Sequence, residues 1–184
     1  MQEKWNNQVY IQNENVILRC IDESFGPSKS SGNPMITLNW EVASPDTINV
    51  GGVDYEIKGL KVSPSYHTTK NLTDSEKSEK NDKSTFGPSG NKDNLSLWEL
   101  FELDPTGVDK ENPPLAFKGK LMHARINGDP REVTKAPTAE QLKKGQRTGD
   151  VVINPKTKKP EVTYYPKIVK MYGLAEEVVG AGSL

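Results

Sequence analysis

The chain has 184 residues, 33% of them hydrophobic, a mean hydropathy of −0.71 and a formal net charge of −1. That length fits one domain with long loops, or a domain plus a disordered part, whose core must come from a few concentrated apolar segments. One cysteine, Cys20, excludes an internal disulfide, the two histidines lie too far from it for zinc-ligand spacing, and no apolar run nears the roughly 18 residues of a membrane span.

Residues 1–14 are polar, with Trp5, Val9, Tyr10 and Ile11 as packing points; they read as an arm across the domain or a neighbour, or as a loosely ordered terminus. The opening MQEKWNNQVY lacks a signal-peptide pattern, so a cytoplasmic protein is expected. Val16 to Ile21 predicts a first strand, and the turn formers from Asp22 to Pro34 a long hairpin tip carrying Lys29. From Met35 to Val42, Ile36, Leu38, Trp40 and Val42 alternate with Thr37, Asn39 and Glu41, the period of a half-buried second strand. Trp40 lies on the apolar side, so core packing is its first role and stacking its second.

Val53 to Val62 predicts a third strand, with Gly59 as a bulge or bend and Ser63-Pro64 as its end. Tyr66 and His67 then stand at a loop mouth, His67 in solvent. Residues 70–94 are rich in Lys, Asp, Glu, Ser and Asn, too polar to offset the entropy of ordering, and predict a flexible loop. Asn94 or Ser96 caps a short helix with Leu97, Leu100 and Phe101 on one stripe, stopped at Asp104-Pro105. A fourth strand is expected from Leu115 to Ile126, bent at Gly119, with His123 packed as its first role and stacked on a base as its second. Residues 127–160 form the next loop, with one helical turn in 137–145, a short strand at Val151 to Ile153 and a turn at 154–160. Val162 to Tyr172 is the last strand; Pro166 lacks a donor and makes it an edge. Residues 175–184 read as a tail.

Charge is segregated along this order. Between Lys118 and Lys170 stand 13 basic and 5 acidic residues, +8, while the rest of the chain carries −9. Segregation of this kind argues for a working face suited to a polyanion. A helix between the third and fourth of five strands, with glycine bends in both, predicts an all-β fold: a five-stranded OB-fold Greek-key barrel spanning 15–174 with long inserted loops. Such barrels bind oligonucleotides on strands two and three and through the loops joining strands one to two and four to five, here 22–34 and the basic 127–160. A β-sandwich with inserted loops is the alternative.

Lys29-Ser30-Ser31-Gly32-Asn33-Pro34-Met35 before an apolar strand, and later Phe117-Lys118-Gly119-Lys120-Leu121, resemble phage-encoded OB-fold proteins that bind single-stranded DNA. The resemblance covers about 15–62 and 115–172. It implies a part in phage DNA replication or recombination.

A strand-tracking protein needs flat rings for bases and cations for phosphates. The candidate rings are Trp40, Tyr55, Tyr66, Tyr164 and Tyr165, the last two pointing to opposite faces so that only one can meet a ligand. The candidate phosphate partners are Lys29, Lys58, Lys61, Lys118, Lys120, Arg125, Arg131, Lys143, Lys144, Arg147, Lys156, Lys158 and Lys159. Nothing in the sequence reads particular bases, so weak sequence preference is expected. DNA is the expected partner and RNA stays open, as does a homo-oligomer; the tail, with Glu176 and Glu177, is a place for replication proteins to dock. No phosphate-cradling glycine loop, nucleophile elbow, paired zinc ligands or His–Cys couple is present, so no catalysis, metal or cofactor is expected. The rival reading is a virion assembly or adaptor protein, which would have no affinity for oligonucleotides.

Overall fold

In the computed structural model the described residues are 2–29, 32, 34–68, 97–102, 112–113 and 115–176. The predicted loop at 70–94 and residues 177–184 of the predicted tail lie outside them. The described part is mostly β, in two sheets.

The larger sheet is antiparallel, with strand order β6-β3-β2-β7-β8. Its strands are β2 (Glu14–Pro27), β3 (Pro34–Ser44), β6 (Lys61–Thr68), β7 (Leu121–Glu132) and β8 (Val162–Ala175). β2 is shared: its first part pairs with β7 and nearly all its length with β3. The two edges, β6 and β8, come alongside one another without a hydrogen-bonded ladder between them. The expectation of a barrel is met only as far as a curled sheet, not closure by pairing.

Alternation sets the core. Val16, Leu18 and Cys20 of β2, Ile36, Leu38, Trp40 and Val42 of β3 and Met122, Ala124 and Ile126 of β7 all point inward and are buried. A single helical turn, α1 (Leu97–Leu100), adds Leu97, Leu100 and the following Phe101, which sits 6.5 Å from the Trp40 ring and 4.5 Å from Phe117. The expected helix is thus present with its apolar stripe inward; its expected cap at Asn94 or Ser96 and residues 103–111 of its expected end lie outside the described residues. Trp40 is fully buried, and its indole N–H donates to Ser65 Oγ at 2.8 Å. That corrects its candidacy as a base-stacking ring. His67 is also buried, within 2.9 Å of the same hydroxyl, not in solvent.

The predicted third strand divides in two. β5 (Val53–Glu56) leaves for a small sheet of order β1-β5-β4, with β1 (Gln2–Lys4) parallel to it and β4 (Thr47–Val50) antiparallel. Gly51 and Gly52 both have positive φ, 61° and 86°, which is what a two-residue β-hairpin turn requires. After a turn at Lys58-Gly59 the chain rejoins the large sheet as β6, which runs on through Pro64. A proline is tolerated there because β6 is an edge strand, whose outward positions need no donor.

The described part of the arm, 2–13, is an ordered strap. Trp5 N–H bonds to Glu56 O, its indole to Val9 O, and Ile11 is fully buried. The predicted fourth strand begins later than expected, at Leu121, because Phe117 to Lys120 form a turn bonded to Cys20: Gly119 N donates to Cys20 O and Cys20 N to Lys120 O. Glu23 holds that turn from the side, accepting from the backbone N–H of Phe117 at 2.8 Å and of Lys118 at 3.1 Å.

Candidate nucleic-acid interface

Much of the basic stretch is regular structure. The β7–β8 ladder continues six residue pairs past Ile126, where β2 ends its pairing, so the hairpin projects beyond the sheet. The strap braces it at the root: Gly128 N–H donates to Ile11 O, Tyr164 N–H to Asn7 O, and the Tyr10 and Tyr164 rings lie 5.1 Å apart. Tyr164 is therefore engaged in packing. Tyr165, one residue on, faces outward and is 40% exposed.

The outward residues of this hairpin alternate rings and cations. Arg131 lies over the Tyr165 ring, 4.8 Å from its centroid; Arg125 and Lys170 lie 5.8 and 5.4 Å from the centroid of Tyr172. Tyr172 is outward because of a bulge. His123 pairs with Gly173 and Ala124 with Met171, which leaves Tyr172 as the extra residue of β8; a second bulge leaves out Val169 in the same way. An extra residue without a ladder partner re-aims its side chain. Cation–ring contacts at exposed sites contribute roughly 0.5–1 kcal/mol each, enough to bias rotamers and hold the rings upright.

Beyond the ladder, residues 133–161 are tied into a compact extension. Thr134 bridges Val151, Ile153 bridges Pro160, and Val133 and Glu161 bond across the stem. The expected helical turn is α2 (Ala139–Lys143), started by a capping box between Thr138 and Gln141. Gln141 also reaches Asp150 at 2.9 Å. The expected turn at 154–160 is built on Asn154, whose side chain accepts from the N–H groups of Lys156 and Thr157, with Lys158 at φ 58°.

Away from the hairpin four cations have carboxylates: Lys61 and Arg19 share Glu41 at 2.9 and 3.9 Å, Lys58 meets Asp46 at 2.9 Å, and Lys118 stands 4.0 Å from Asp22, while Lys4, Lys29 and Lys120 have none within 4.0 Å among the described residues. On the hairpin and its extension, Arg131 meets Asp129 at 3.6 Å and Lys144 meets Glu140 at 3.0 Å. Lys135, Lys143, Arg147, Lys156, Lys158, Lys159, Lys167 and Lys170 have no carboxylate within 4.0 Å among the described residues. Exposed ion pairs contribute only about 0–1 kcal/mol, so the paired lysines are not locked in place.

Ten of the eighteen predicted site residues belong to the hairpin and its extension: Arg125, Arg131, Lys143, Lys144, Arg147, Lys156, Lys158, Lys159, Tyr164 and Tyr165. Lys118 and Lys120 are exposed at the turn that precedes β7. Lys29 is exposed at the β2–β3 tip, at the end of β2 away from the hairpin. Tyr66 is 39% exposed on β6, opposite Thr37, while Tyr55 packs against the core from β5. Sequence reasoning missed Tyr172 and counted Lys167 and Lys170 in the basic stretch without making them phosphate partners; His123 is exposed on β7, not packed as favoured. Counting outward from buried Ile168 would have found Lys167, but the bulge that turns Tyr172 outward leaves no mark in the alternation. Among the described residues no three His, Cys, Asp or Glu are grouped to hold a metal ion, and no helix is long and apolar enough to cross a membrane. Comparison with known proteins finds no matching family model, no matching curated protein and no matching solved structure.

Proposed function

We propose that the protein binds single-stranded DNA, with little sequence preference, along the outer face of the β7–β8 hairpin and its basic extension. The observation that carries this reading is the run of exposed rings beside cations, Arg131 with Tyr165 and Arg125 and Lys170 with Tyr172, continuous with lysines that no carboxylate neutralises. Rings take any base by its face, contributing roughly 1–3 kcal/mol per base, and cations take phosphates by counterion release. Neither feature selects a sequence. A duplex, with its bases already stacked, offers the rings nothing.

The strand order supports the finer fold reading, an OB-fold. Numbering the five strands of the large sheet one to five along the chain, their order β6-β3-β2-β7-β8 reads three-two-one-four-five, with α1 between strands three and four and the edges drawn together. The resemblance to phage-encoded single-strand binders adds replication or recombination as the setting. The test is fluorescence anisotropy of labelled oligo-dT, competed by unlabelled DNA, RNA and duplex. Binding of the single strand with weak competition by duplex is expected. No binding at low salt would end the reading and leave the assembly or adaptor role.

A further inference from the structure

An open groove of about 680 Å³ lies across β7, between the start of β2 and the bulged end of β8, lined by Asn15, Ile17, Ser44, His123, Arg125 and Tyr172. Its volume is within the range of roughly 300–1,000 Å³ typical of small-ligand sites. Two local features open it. The β8 bulge turns Tyr172 to its wall, and Gly173 stands opposite His123 with no side chain; a Cβ added there would meet nothing within 4 Å. Among the described residues no carboxylate lines it. Arg125 is held at its edge by the Tyr172 ring and by a bond from its Nε to Asn15 Oδ1 at 3.3 Å. Asn15 thereby keeps its amide N–H groups for a ligand, beside the Ser44 hydroxyl and the His123 imidazole.

We propose that this groove holds one unstacked nucleobase of the bound strand. The base face lies on Tyr172, its polar edge meets Asn15, Ser44 and His123, and Arg125 takes the adjoining phosphate. A flat wall, a fixed guanidinium and hydrogen-bonding side chains together suit a flat ligand that carries an anion. A free mononucleotide has the same chemistry. The strand is favoured because Tyr172 and Arg125 belong to the same outward face as Tyr165 and Arg131. The inference rests on the single-strand reading above and adds a seat for one base to it.

The test is photocrosslinking of the full chain to a 5-iodouracil-substituted oligonucleotide, with the crosslinked peptide mapped by mass spectrometry. Tyr172→Leu and His123→Ala are compared with the parent; both side chains are exposed, and unchanged unfolding midpoints would verify intact folds. A crosslink at Tyr172 or His123 is expected, together with about tenfold weaker oligonucleotide binding by Tyr172→Leu at an unchanged salt dependence. Wild-type binding with crosslinks elsewhere and full affinity in Tyr172→Leu would overturn the groove while leaving the wider reading intact. Loss of the crosslink in millimolar thymidine monophosphate, with the oligonucleotide still bound, would make this a free-nucleotide site and overturn the proposal as well. Failure of the parent to bind any oligonucleotide would remove both.

Discussion

Tyr164 and Tyr165 are adjacent and chemically identical, and their surroundings give them opposite uses. Tyr164 is held against Tyr10, while Tyr165 stands outward under Arg131. Tyr165→Ala is therefore expected to weaken oligonucleotide binding by about 5- to 100-fold, the range set by losing one stacked base, with little change in stability. Tyr164→Ala should do the reverse, lowering the denaturation midpoint first. Trp40 is a stability residue of the same kind: Trp40→Phe removes the N–H that donates to Ser65 and should cost about 1–2 kcal/mol in urea unfolding. Cys20 gives a pH dependence. Burial, with Glu23 adding to it, pushes its thiol from 9.0 up to about 12. A pKa raised in the folded state gives stability that is complete below the unfolded value and is lost as pH climbs through the folded one. Stability should fall between about pH 9 and 12, and Cys20→Ala should flatten that part of the curve.

The hairpin depends on how its root is packed. An added Cβ at Gly128 would stand 2.9 Å from the Tyr10 ring and 3.2 Å from Tyr164 Cβ. Gly128→Ala should lower stability by about 1–3 kcal/mol, and Tyr10→Ala in the same chain should restore part of it, since one of the two obstructing groups is then gone. Gly149 is tighter still: a Cβ there would meet the backbone oxygens of Ala136 and Lys135 at 2.5 and 2.7 Å, neither at the end of a pliable side chain. Hydrogen exchange of Gly149→Ala should show faster exchange at Lys135 and Val152, whose N–H groups bond to Asp150 and Val133, with the β2–β3 ladder protected as before. Slow exchange throughout the extension would contradict that account of its order.

At the scale of the molecule, part of the fold was legible from sequence: β3 lies where its apolar period two puts it, β8 covers the expected 162–172 and α1 buries the expected stripe, but β2 runs on through Pro27 in a ladder with β3, so residues 22–27 of the expected loop are strand. The small sheet was not, although Gly51-Gly52 between Ile48-Asn49-Val50 and Val53-Asp54-Tyr55 is a hairpin signal of the plainest kind; the run to Val62 masked it, because Lys58-Gly59 turns the chain without breaking the apolar pattern. The basic stretch was legible as charge, but not how it divides. Composition cannot tell Lys61, beside Glu41, from Lys158, beside no acid, since that depends on which strands pair. Nor can it reveal a bulge, which turns on one residue left without a partner. These are tertiary facts, and the candidate site is made of them.

The central claim is that the unpaired lysines of the 133–161 extension meet phosphates. The most direct measurement is the salt dependence of oligo-dT affinity for the parent and for Lys156→Ala/Lys158→Ala/Lys159→Ala. Each phosphate contact on a single strand adds about 0.7 to the slope of log affinity against log salt, so the triple variant should bind more weakly with a slope lower by about 2. Equal affinity and equal slope in the two proteins would contradict the account.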